Sequence, residues 1–215
     1  MYTNSFYVEC TDFSALVSRL STWTGAKMTR LTEPPGWLYE EDPTRVPPGI
    51  NMLFVFRSNQ NWCGVDHLIR GRMDCLAALL SREFGGKFVQ LRHYLRPMPP
   101  DVDTMSTLMP LEYNYLMIYD KGEKVREIEA YSEEENPRID TGRRFPFEKP
   151  FAHAPGALKN WSPGKNYIEI DEAAYEMYDV FTEDGLIDFC DRLGFVYMDA
   201  QDDENVILLD EHFEA

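Results

Sequence analysis

Met52-Leu53-Phe54-Val55-Phe56 is apolar at every position. Successive side chains of a strand point to opposite faces, so as a strand this run has no side for solvent. It predicts the interior of a sheet covered on both faces. The flanking segments supply cover. Phe6-Tyr7-Val8 reads as a short strand. Asp12 can cap a helix over 13–24, in which Leu16, Leu20 and Trp23 recur at helical spacing and Gly25 suits the stop. After the apolar run, the periodicity predicts a long helix over Asp66–Phe84, with Ile69, Met73, Leu76 and Leu80 as its core stripe and Gly85-Gly86 as its end. Phe88–Leu95 then alternates like a strand.

Tyr113–Tyr119 and Lys124–Tyr131 are two strands around Asp120-Lys121-Gly122-Glu123, where Gly122 tolerates the positive φ of a tight hairpin. Prolines 34, 35, 43, 47 and 48 exclude regular structure from 32–50, and 97–110 and 132–165 read as further long loops. Beyond them come a strand at Tyr167–Ile170, a helix over 171–180 and a second helix from Thr182 to Leu193, closed by Gly194. Phe195–Met198 and Val206–Leu209 read as strands joined through Asp199–Asn205. The expected class is α+β: a mixed or antiparallel sheet with helices packed on it and long Pro-rich loops. Residues 1–150 make an α/β body carrying the central sheet and hairpin. Residues 151–215 make an acidic strand–helix–helix–hairpin region packed on the same core.

Charge divides the chain unevenly. The net is −16, yet residues 1–110 balance at 11 basic and 11 acidic, whereas 166–215 hold Arg192 against 16 acids. That end cannot bind nucleic acid directly or lie on an anionic membrane, because both need clustered Lys and Arg. The acids have a pattern. Asp184, Asp188 and Asp191 fall at i, i+4, i+7 on one helix, opposite Leu186, Phe189, Cys190 and Leu193. Glu172, Glu176 and Asp179 repeat the spacing on the preceding helix, and the turn Asp202-Asp203-Glu204 adds three more. Like charges at i, i+4 cost roughly 0.2–0.5 kcal/mol per pair, and no Lys relieves them. Asp179 and Asp191 also stand near helix C-termini, where the macrodipole disfavours anions. The pattern therefore points to a docking face for a basic protein partner. Two plainer readings stand beside it: a solvated face that keeps the protein dispersed, or a cover for the basic segment 57–96.

Chemistry is sparse. Cys63 with His67 or His93 is the one nucleophile-and-base combination, and a half-buried thiol beside a surface histidine explains the same residues. Cys63, His67 and Cys75 lack the paired spacing and fourth ligand of a zinc site. Asp199, Asp202, Asp203 and Glu204 lack the pattern of a calcium loop. No phosphate-loop, dinucleotide, nucleophile-elbow or zinc-protease motif occurs, so no catalytic residue, cofactor or metal is expected. The four cysteines (10, 63, 75, 190) form no close pair in sequence and read as reduced. With neither an apolar run of the roughly 18 residues a membrane span needs nor a secretory signal at the start, a cytoplasmic location is expected.

One segment carries a resemblance. Tyr115–Tyr119, the turn, and Val125-Arg126-Glu127-Ile128 are followed by Gly142-Arg143-Arg144-Phe145-Pro146-Phe147-Glu148. This resembles the "V-R-x-I … G-x-x-x-P-F-E" hairpin of small acidic bacterial proteins, many of which stand beside secreted or contact-delivered toxins and act as immunity proteins. It spans about residues 113–150. The resemblance implies a strand register and a protein that binds others, here an antidote to a toxin domain, with no catalytic residues to carry over.

Overall fold

The computed structural model describes residues 2–23, 28–31, 52–67, 73–95, 112–131, 137–148, 183–197 and 205–210. In chain order these form β1 (Tyr2–Glu9), α1 (Phe13–Trp23), β2 (Met28–Leu31), β3 (Met52–Asn59), β4 (Trp62–His67) and α2 (Asp74–Phe84). There follow β5 (Lys87–Leu95), β6 (Glu112–Asp120), β7 (Glu123–Tyr131), β8 (Ile139–Gly142), α3 (Glu183–Leu193) and β9 (Asn205–Asp210). The nine strands make one sheet in the order β2-β9-β3-β4-β1-β5-β6-β7-β8, and every neighbouring pair is antiparallel. The fold is α+β.

The apolar run lies in β3, between β9 and β4, and is covered on both faces. Leu53 and Val55 point into a core closed by Leu16 and Leu20 of α1 and by Leu76 and Leu80 of α2. Phe56 points the other way, into a core with Tyr7, Leu116 and Ile128 that is closed by Leu186, Phe189 and Cys190 of α3. Alternation carries both cores across the sheet: Phe88 of β5 enters the first, Val89 and Leu91 the second.

Local signals act where expected. Asp12 Oδ1 accepts the Ala15 N–H at 2.9 Å, capping α1. Lys121 (φ 51°) and Gly122 (φ 90°) both take positive φ, as a two-residue hairpin turn following the right-handed strand twist requires. Gly194 (φ 93°) ends α3, its N–H reaching Cys190 O at 3.0 Å.

Three expectations need correction. The helix expected from Asp66 begins at Asp74; Trp62–His67 is strand β4, bonded to β1 on one edge and β3 on the other. There the period-two pattern Cys63, Val65, His67, all buried, prevails over helical spacing. The strand expected to begin at Phe195 is absent from its described part, 195–197. Residues 195–197 are irregular, and β9 pairs with β3 and β2. Burial explains the former: the Phe195 ring stacks on Tyr7 at 4.3 Å and lies 4.6 Å from Trp62, more apolar contact than an exposed strand edge offers. Strands β2 and β8, four residues each, were not anticipated. The expected strand at 167–170 and helix at 171–180, the loops 32–50 and 97–110, and the boundary near 150 lie outside the described residues.

Candidate functional site

The acidic helix α3 rests on the segment that carried the resemblance. The side chains of Arg126 in β7 and of Glu148 are each 1% exposed. Their contact is two-pronged: Nε donates to both carboxylate oxygens at 3.1 and 3.0 Å, and a second guanidinium nitrogen donates to Oε2 at 2.8 Å. The remaining nitrogen donates to Thr141 O at 2.8 Å and meets Asp140 Oδ1 at 2.7 Å. Glu148 Oε1 also accepts the Phe145 N–H at 2.8 Å. A buried charge is tolerated when paired and hydrogen-bonded in this way. Gly142 (φ 91°) lets the chain turn here, and a Cβ at that position would overlap Val125 O. The glycine, the arginine and the final glutamate of the resemblance are thus one clasp, closing residues 139–148 onto β7.

That clasp holds an aromatic platform. Phe145 and Phe147 stack at 5.4 Å, and both meet Phe189 of α3 edge-on, at 5.9 and 5.0 Å. The Arg192 guanidinium lies over the Phe147 ring at 5.7 Å. The helix is thereby fixed with Leu186, Phe189 and Cys190 inward. Burial and neighbouring Asp191 push the Cys190 thiol up, so it stays protonated.

Outward stand Asp188 and Asp191, both exposed, as their spacing required. Asp184 falls in the first turn of α3. The stripe is not wholly unrelieved: Arg192 Nε bonds Asp188 Oδ2 at 2.7 Å, an i, i+4 pair open to solvent at both ends. Two large apolar side chains are exposed in this part of the chain, Ile187 (38%) on the helix and Val196 (45%) just after it. The sequence reading passed over both, although Ile187 sits three residues from Asp184 and four from Asp191 on the helix, and so belongs to the same stripe. Glu172, Glu176, Asp179, Asp202, Asp203 and Glu204 lie outside the described residues.

The candidate nucleophile is placed differently. Cys63 is fully buried in β4, facing α1 and α2. His67 is four residues along the same strand, ~13 Å away by the strand rise, and its Nδ1 is 3.3 Å from Asn4 Nδ2. His93 is on the opposite face of the sheet, its Nδ1 2.9 Å from Asn114 Oδ1. The neighbour of Cys63 is instead Cys10, with the two sulfurs 3.5 Å apart. Sequence spacing gave no hint of this, because the pair forms only through the β1–β4 register, in which Val8 opposes Cys63.

One titratable group was missed. Asp66 faces the α3 side of the sheet, opposite Ser5 and Phe54. Among the described residues its buried Oδ1 has no hydrogen-bond partner, and neither has Ser5 Oγ. Burial pushes the Asp66 carboxyl up to about 6. A lone acid within an apolar alternating strand was the available signal. Among the described residues there is no cluster of His, Cys, Asp and Glu able to hold a metal ion, and no helix long and apolar enough to cross a membrane. No protein-family model, curated protein or solved structure matches the chain.

Proposed function

We propose that this chain is a non-catalytic acidic binding protein, an antidote of the immunity type that neutralises a basic toxin domain by direct contact through α3 and the acidic segments that flank it in sequence. The carrying observation is the outward side of α3, where Ile187 stands exposed among Asp188 and Asp191 on a helix locked from beneath by Phe145, Phe147 and Phe189. An apolar centre with a charged rim is the usual anatomy of a docking patch. A rigid helix loses little entropy on binding. The acids steer a basic partner at a rate that falls with salt. Toxin nucleases are often basic because they bind phosphate, and an acidic inhibitor suits their groove. The resemblance at the clasp supports the same class.

The test is capture from the native host at low and at high salt, with the wild type and with Ile187→Asp and Asp188→Lys/Asp191→Lys. A basic partner retained by the wild type, and lost by variants whose unfolding transition is unchanged, is the expected result. No tight partner at either salt, or undiminished capture by both variants, overturns the reading.

A further inference from the structure

On the opposite face of the sheet from α3 stands a constellation that the binding role does not use. Cys10 follows the end of β1 and is 5% exposed; Cys63 in β4 is fully buried; their sulfurs are 3.5 Å apart. A disulfide needs about 2.05 Å, so closure requires a small approach by the β1–α1 corner. Arg57, on the neighbouring strand β3, has Nη1 3.6 Å from Cys63 Sγ, and the same nitrogen donates to Cys10 O and Thr11 O at 3.5 and 3.2 Å. Its guanidinium is braced over the Phe13 ring at 5.4 Å. The hydrogen-bonding contact with Cys63, together with the Arg57 charge, holds the Cys10 thiol below its ordinary range despite burial and the nearby Asp12 carboxylate. The other two cysteines differ: Cys75 is exposed and Cys190 is buried on the α3 side.

We infer that Cys10 and Cys63 are a reversible dithiol–disulfide site, oxidised by small hydroperoxides, with Cys10 as the attacking sulfur and Cys63 as the resolving one. The Cys10 thiolate gives an electron pair to one peroxide oxygen. The S–O bond forms, the O–O bond breaks, and the departing hydroxide takes up a proton to become water. The Cys63 sulfur then attacks the Cys10 sulfenic acid. The S–S bond forms, the S–O bond breaks, and the leaving hydroxide takes the Cys63 proton. Two thiols are oxidised and one hydrogen peroxide is reduced to two waters; an alkyl hydroperoxide would give one alcohol and one water. A thiol reductant returns the pair to its starting state. Arg57 is a positioning residue that favours the anionic sulfur.

The experiment treats the full-length protein with hydrogen peroxide, blocks remaining thiols, and maps the digested peptides by mass with and without reductant. The expected product is a Cys10–Cys63 linked peptide, lighter by two hydrogens and restored by dithiothreitol, with Cys190 still a free thiol. In Cys63→Ser, Cys10 stops at a sulfenic acid that dimedone traps; in Arg57→Met, the wild-type linkage forms more slowly. If the Cys63→Ser chain does not fold, the wild-type peptide map alone decides. Both residues still blocked as free thiols after Cys75 has oxidised, or either one linked only to Cys75 or Cys190, overturns the site. Dimedone capture of Cys63 in Cys10→Ser, with none of Cys10 in Cys63→Ser, overturns the assignment of roles.

Discussion

Glu148 in the corner that follows β8 and Asp66 in β4 both face the α3 side of the sheet, and their surroundings differ in one respect. Glu148 receives three short bonds from Arg126 and a fourth from the Phe145 backbone. Asp66 has an oxygen with no partner among the described residues, and its carboxyl is pushed up to about 6. Burial by itself disfavours an ionised carboxylate. The outcome depends on whether donors replace the lost water. The corner that supports α3 is therefore held by charge, whereas the β1–β4 region tolerates a charge that works against folding.

The sharpest way to break this comparison is to make Glu148 resemble Asp66. Arg126→Met leaves the carboxylate buried without its counter-ion, and we expect about 3–5 kcal/mol of lost stability in urea unfolding. Arg126→Met/Glu148→Leu should recover most of it, since an apolar pair of similar volume needs no compensation. A loss no greater than that of a surface pair would erase the distinction.

The reverse change is Asp66→Asn, which should stabilise the protein at pH 8 by about 1–3 kcal/mol. The sign follows from linkage. The folded value of about 6 lies above the unfolded 3.8, so between them the folded state holds more protons and wild-type stability falls as pH rises. The penalty is absent below 3.8 and complete above about 6. Urea midpoints of the two proteins should therefore converge as pH is lowered from 8 toward 4. An advantage that stays constant with pH would remove Asp66 ionisation as its cause.

The smallest effect belongs to an exposed carboxylate. Asp188→Ala removes the Arg192 pair, whose partners are 58% and 44% exposed, and should cost about 0.3–0.5 kcal/mol, less in high salt. A larger, salt-insensitive loss in thermal unfolding would mean that this acid supports the fold and is not held out for a partner.

Legibility in the sequence followed the range of each interaction. The Asp12 cap, the Lys121-Gly122 turn, the Gly194 stop and the inward row Leu186, Phe189, Cys190 rest on residues within about two turns of one another. Each was readable from spacing. The start of α2 was misread because Cys63, Val65 and His67 satisfy a strand while Met73, Leu76 and Leu80 satisfy a helix, and only pairing with β1 and β3 separates the two. The resemblance brought Arg126 and Glu148 forward as letters of a motif. That they are a buried ion pair across 22 residues required the hairpin to be folded.

From its order of residues alone, this chain was committed to an α+β sheet covered on both faces, a tight hairpin, and a C-terminal helix with acids outward, because periodicity and turn chemistry act over a few residues. Tertiary structure decided the rest: β9 inserted beside β3, Cys10 set against Cys63, Arg126 closed onto Glu148, and Asp66 Oδ1 buried without a donor among the described residues. Each of these depends on strand order and register, which bring together residues far apart in the chain, and no local pattern specifies which distant strand a given edge will meet.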